Sequence, residues 1–101
     1  MSYAAHLAAD RRLAVLENLI ADGGSGSESA VKAMLEGLGH RIGITRETVR
    51  DLLKDLRERD LIEIEYFRDS LMVARITERG VDAAEGRITV DGVASPPIGR
   101  R

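Results

Sequence analysis

The residues best suited to chemistry in this sequence are cations at helical spacing: Arg46, Arg50, Lys54 and Arg57. At about 100° per residue they fall in one arc roughly 80° wide, a row able to track a phosphate backbone. Val49, Leu52, Leu53 and Leu56 occupy another arc about 100° wide, the stripe that a packed helix turns to its core. Glu47, Asp51, Asp55 and Glu58 lie between the basic row and the far edge of the apolar one. One helix thus carries an apolar, a basic and an acidic face. Arg46 with Arg50, and Arg50 with Lys54, are like-charge neighbours four residues apart, which slightly destabilise an isolated helix. A face tuned only for stability avoids such pairs. The bland alternative is a solvated face held by Glu47 with Arg50, Asp51 with Lys54 and Lys54 with Glu58, all at suitable spacing.

Other chemistry finds little footing. Acid–base catalysis needs paired groups tuned by a pocket. Here the carboxylates read as solvated helix faces beside arginines, and no nucleophile and base stand paired, so no enzyme is expected. The chain has no cysteine, which excludes disulfides and thiolate metal sites and suits a reducing cytoplasm. His6 and His40, the two histidines, fall on different elements, so neither a metal nor a cofactor is expected and no small-molecule ligand is evident. His40 is expected in turn packing or in a phosphate contact beside Arg41, and His6 at an exposed place on the first helical turn. The run Gly23-Gly24-Ser25-Gly26-Ser27 follows no strand and precedes no lysine in P-loop register. It reads as a flexible break between helices.

Length and composition frame these residues. The 101 residues suit one domain with a modest core. With one Phe, two Tyr and no Trp in a chain that is 44% hydrophobic, that core must be aliphatic. A net charge of −2 argues against a protein that coats nucleic acid indiscriminately, so any DNA contact must use a local patch. Residues 41–60 hold six cations against five carboxylates, a diluted patch. No apolar run reaches membrane-spanning length and no secretion signal opens the chain, so no membrane partner is expected.

The elements that must position the basic row follow from local signals. A first helix spans 4–21, and Leu13, Val15, Leu16, Leu19 and Ile20 spread over roughly 160° of its surface. One edge is expected under the third helix; the other meets either a second subunit or the rest of its own domain. Ser25, at capping-box spacing from Glu28, or Ser27 starts a second helix over 28–38, with Val31, Met34, Leu35 and Leu38 in the core. Residues 39–43 form the turn, with Ile42 or Ile44 filling the space between helices. Thr45 caps the third helix over 46–60. Two strand-like segments then flank Arg68-Asp69-Ser70 in a hairpin over 61–77. Ile62, Ile64 and Tyr66 form its buried face, and Arg75 is placed to pair with Glu63 or Glu65. Thr77 caps a last helix over 78–85, Ile88-Thr89-Val90 adds a strand or an arm, and 95–101 form a flexible tail with Arg100 and Arg101. The predicted fold is α+β and mainly helical: one domain over 1–94 with three helices, a two-stranded hairpin and a short C-terminal helix.

The run from Ile44 to Glu65, ITRETVRDLLKDLRERDLIEIE, resembles the recognition helix and first wing strand of bacterial winged helix-turn-helix regulators. Ile76-Thr77-Glu78-Arg79-Gly80 resembles the capped start of the helix that follows the wing in many of them. More closely, Met1-Ser2-Tyr3-Ala4-Ala5-His6-Leu7-Ala8 with Asp10-Arg11-Arg12, the Gly39-His40-Arg41 turn and Thr77-Glu78-Arg79-Gly80 resemble a family of small proteins from Mu-like bacteriophages and prophages. That family carries an ArsR-type regulator label. The resemblance implies a winged helix and a sequence-specific double-stranded DNA-binding regulator in the bacterial cytoplasm, most simply a homodimer through the first helix. A third helix in the major groove offers Arg46, Glu47 and Arg50 to base edges. Arg41, Thr45, Lys54 and Arg57 then fall to the DNA backbone, and Arg68 at the hairpin tip to the backbone or the minor groove. The alternative is a phage accessory or assembly-associated protein whose winged helix contacts another protein, favoured by the net charge and by Glu63 and Glu65.

Overall fold

Four of the chain's Ser and Thr residues decide where its helices begin. In the computed structural model, which describes residues 2–40 and 42–97, the elements run α1 (Tyr3–Ala21), β1 (Ser25–Ser27), α2 (Glu28–Gly37), α3 (Arg46–Glu58), β2 (Ile62–Phe67), β3 (Leu71–Ile76) and α4 (Glu78–Ala84). Ser2, Ser27, Thr45 and Thr77 each stand in extended backbone, and each side-chain oxygen accepts from the N–H three residues on. Every helix thereby gains a partner for one of its orphan donors. At α3 the cap is reciprocal, because the Thr45 N–H also donates to Thr48 Oγ1 at 2.8 Å. Ser27, not Ser25, caps α2. Glu28 is therefore free of capping duty.

The helix ends share a device. Past α1, α2 and α4 the chain turns back through Gly23, Gly39 and Gly86, all at positive φ. Past α3 the same position is held by Asp60 at φ 62, with Leu61 N donating to Leu56 O and Asp60 N to Arg57 O. That pair of bonds is a Schellman ending, and it stops α3 at Glu58 rather than at residue 60.

The expected hairpin forms, with Ile62 opposite Ile76 and Phe67 opposite Leu71. It is not alone. Ser25, Gly26 and Ser27 pair antiparallel with Arg75, Ala74 and Val73, giving a three-stranded sheet in the order β1-β3-β2. The second half of the glycine-rich run, Ser25–Ser27, is thus a strand, entered through a turn at Gly23 and Gly24, where its composition suggested a flexible break. The free edge of β3 needs hydrogen-bond partners, which the backbone of β1 supplies whatever its side chains. Gly26 also lies close over α1, since a Cβ there would stand 3.2 Å from Leu19 Cδ2.

The core is aliphatic. Val15, Leu16 and Leu19 of α1, Val31 and Leu35 of α2, and Val49, Leu53 and Leu56 of α3 close around Leu61, Ile62 and Met72. The broad apolar arc of α1 is filled chiefly from its own domain, by α4, α2 and β3. Leu7 and Ala8 of α1 also line a groove with Val49 and Leu52 of α3, and an ion pair, Arg12 Nε to Asp55 Oδ2 at 2.7 Å, joins the two helices. Two core expectations change. Leu38 follows the end of α2 and is 62% exposed, and Tyr66 lies 49% exposed near the hairpin tip. Ile44, not Ile42, fills the space beside the turn.

Beyond α4 the chain forms an arm rather than a strand. Val90 and Val93 are buried, and Ala94 N donates to Ala9 O of α1. Arg12 and Arg59 hold the arm by donating to the carbonyls of Gly92 and Asp91. The expected tail falls partly on 95–97, which form neither helix nor strand; 98–101, with Arg100 and Arg101, lie outside the described residues. Among the described residues no helix is long and apolar enough to cross a membrane.

Candidate functional site

The basic row of α3 meets an acid that is distant in sequence. Glu28, the first residue of α2, is only 2% exposed and sits where α2, α3 and the β2–β3 hairpin converge. Arg50 grips it with two prongs, Nε to Oε1 and Nη2 to Oε2, both at 2.8 Å. Arg46 adds Nε to Oε1 at 2.8 Å, and Met72 N donates to Oε2 at 2.6 Å. The carbonyl of Ser70 completes the cluster, accepting from Arg46 Nη2 at 3.2 Å and Arg50 Nη2 at 2.5 Å. A forked guanidinium on a carboxylate is among the stronger protein hydrogen-bonding arrangements. The Arg50 fork holds the Glu28 carboxyl at about 2, against the pull of burial and with help from Met72 N–H and Arg46. The same bond raises the pKa of Arg50.

The row is therefore divided. Arg50 is half-buried in the clamp, whereas Arg46 remains 66% exposed while touching Glu28. Lys54 and Arg57 are exposed and form no ion pair among the described residues. Thr45 is taken up by its cap. Arg68 stands at the hairpin tip, its guanidinium 5.3 Å from the centre of the Phe67 ring. Arg41 lies outside the described residues.

The intrahelical pairs Glu47–Arg50, Asp51–Lys54 and Lys54–Glu58 do not form among the described residues. The ion pairs of α3 run instead to Glu28, and from Asp55 to Arg12 and Arg59. Burial raises the pKa of Asp55, but the Arg59 hydrogen bond and the Arg12 charge outweigh it and leave it lowered. By helix geometry the line opposite buried Val49, Leu53 and Leu56 is occupied by Glu47, Asp51 and Glu58, with Lys54 at its edge. The outermost line of α3 is mainly acidic, and the cations lie on its hairpin side.

Sequence reasoning missed Glu28 as the centre of this site. The available signal was the stacking of Arg46 over Arg50, a repulsion that asks for a shared anion. On the hairpin, Arg75 pairs with Glu65, Nη2 to Oε1 at 2.5 Å, although Glu63 is the residue directly opposite. His40 serves the turn, with Nδ1 accepting from Arg11 Nε at 3.2 Å, and His6 is exposed. Among the described residues no group of three or more His, Asp or Glu could hold a metal ion.

Relatives were found in a phage and a bacterium. The chain is 37% identical over 90 residues to "Uncharacterized protein gp26" of Escherichia phage Mu, spanning 89% of this chain and 91% of that protein. It is 39% identical over 79 residues to an "Uncharacterized protein" of Haemophilus influenzae, spanning 78% of this chain and 76% of that one. No protein-family profile matches the chain, and no solved structure matches it significantly.

Proposed function

The chain belongs to the family of phage Mu gp26, and on that premise we propose that it is a double-stranded DNA-binding protein of winged-helix build, a phage or prophage transcriptional regulator acting in the bacterial cytoplasm. The observation that carries this reading is the hairpin-side flank of α3. Arg46, Arg50, Lys54 and Arg57 share it, Glu28 offsets one of their charges, and Lys54 and Arg57 are left exposed. A helix pair followed at once by a hairpin is also the layout in which a second helix enters the major groove and the hairpin lies alongside.

In this reading Lys54, Arg57 and Arg68 meet phosphates, joined by Arg41, while Thr45, taken up by its cap, sets the start of the helix. Arg46 is presented to base edges, whereas Glu47 lies on the acidic outer line and is turned away from them. Arg50 is a positioning residue, because its prongs are spent on Glu28 and on the Ser70 carbonyl. The acidic outer line of α3 requires the duplex to approach over the hairpin-side flank. A homodimer joined through α1 and presenting two copies of α3 about 34 Å apart would read two half-sites.

A second reading, contact with another phage protein, is favoured by that same acidic line and by Tyr3, Leu38 and Ile42, which are 81%, 62% and 91% exposed. Titration of labelled duplex fragments at two salt concentrations separates the two. Saturable binding that weakens as salt rises supports the DNA reader. Absence of binding by folded protein at micromolar concentrations moves the assignment to protein contact.

A further inference from the structure

The chain has three aromatic residues, Tyr3, Tyr66 and Phe67, and all three are exposed, at 81%, 49% and 57%. Aromatic rings ordinarily supply much of a core. Here the core does without them, and two stand side by side at the end of β2. Phe67 closes the ladder opposite Leu71, and Arg68-Asp69-Ser70 form the loop. Ser70 N donates to Phe67 O at 3.3 Å, with Arg68 at φ 52 and Asp69 at φ 61. Turns with both central residues in the left-handed region favour Asn and Gly. Aspartate tolerates that region, but an arginine there is a steric liability that folding alone does not call for.

The tip is also cationic where it meets the rest of the molecule. The Arg68 guanidinium lies over the Phe67 ring, and the Ser70 carbonyl holds Arg46 and Arg50 at the head of the basic flank. Of the nearby acids, Glu65 is tied by Arg75 and Glu28 offsets one charge of the Arg46–Arg50 pair, leaving Asp69 as the opposing charge on the loop against Arg68 and the remaining cation. An exposed ring backed by cations complements a polyanion with a stackable interior.

We propose that the hairpin tip is a DNA wedge: Phe67 enters between base pairs from the minor groove and Arg68 follows to the groove edge and phosphates. The inference rests on the DNA-binding reading and adds a deformation of the duplex to it. Apolar side chains inserted in this way partly unstack a base step and kink the helix.

The test uses a relaxed closed circular plasmid incubated with the full chain and topoisomerase I, beside anisotropy titrations of a labelled duplex. The wild-type protein is expected to untwist the plasmid, leaving negatively supercoiled topoisomers once it is removed. Phe67→Ala changes an exposed side chain. It is expected to keep the wild-type circular dichroism melt, to bind roughly 5- to 100-fold more weakly and to lose the topoisomer shift. Arg68→Gly relieves the left-handed strain and retains the ring, so it should bind more weakly yet still shift topoisomers. Wild-type binding without any shift overturns the wedge and leaves the DNA reading standing. So does a shift that persists in Phe67→Ala, whether or not that variant binds more weakly. Absence of wild-type binding overturns both.

Discussion

At the scale of single residues, Glu28 links α2, α3 and the β2–β3 hairpin. Its carboxylate satisfies the buried Met72 N–H and gathers Arg46 and Arg50. Breaking a buried hydrogen-bonded charge strands its partners, so Glu28→Gln should cost about 2–4 kcal/mol, read as a melting temperature about 10 °C or more lower. The pH dependence has a definite sign. The folded-state pKa, about 2, lies below the group's ordinary value of 4.5, so this stabilisation is complete well above 4.5 and drains away as pH falls from there through 2. Urea unfolding at pH 6 and pH 3 should show the gap between wild type and Glu28→Gln narrowing by about 2 kcal/mol. A gap independent of pH would mean that the clamp does not hold a charged carboxylate. None of this was visible along the sequence, because Glu28 and its arginines lie on different helices and only the Arg46–Arg50 repulsion hinted that an anion was missing.

At the scale of elements, the caps and the hairpin were legible because their signals are local. Thr45 and Thr77 each precede a helix, and alternating Ile and Glu announce β2. The β1 strand was illegible because Gly and Ser carry no strand signal and its partner is β3, far along the chain. The arm at Val90 and Val93 was likewise fixed by α1 and by Arg12 and Arg59, not by its own pattern. Two substitutions check this account. Asp60→Gly removes a left-handed penalty at the end of α3 while leaving the carbonyl that accepts from Thr77, and should stabilise by about 0.5–1 kcal/mol in chemical denaturation. Gly80→Ala should do the reverse. A Cβ there would stand 2.2 Å from Leu61 O and 2.7 Å from Ile76 Cγ1, so α4 must move, at a cost of about 2–3 kcal/mol. A neutral Gly80→Ala would show that α4 does not pack on the start of β2 as described.

At the scale of the whole molecule, composition correctly implied a single aliphatic core, since every buried hydrophobic in the core is Leu, Ile, Val, Met or Ala. Charge was harder to read. Counting residues 41–60 gives six cations against five carboxylates, but the fold brings in Glu28 from outside that window and sends Asp55 to Arg12 on α1. What remains is a division along one helix face: Arg50 is held in the Glu28 clamp, while Lys54 and Arg57 are exposed and form no ion pair among the described residues, which in the proposed reading leaves them to a polyanion. The measurement that tests this division most directly is the salt dependence of duplex binding for wild type, Lys54→Ala and Arg57→Ala, each first shown to melt like wild type. The account predicts that each substitution weakens binding on all sequences and lowers the slope of log affinity against log salt by about one. Unchanged affinity and slope in both variants would contradict it, and with it the assignment of this flank to the DNA backbone.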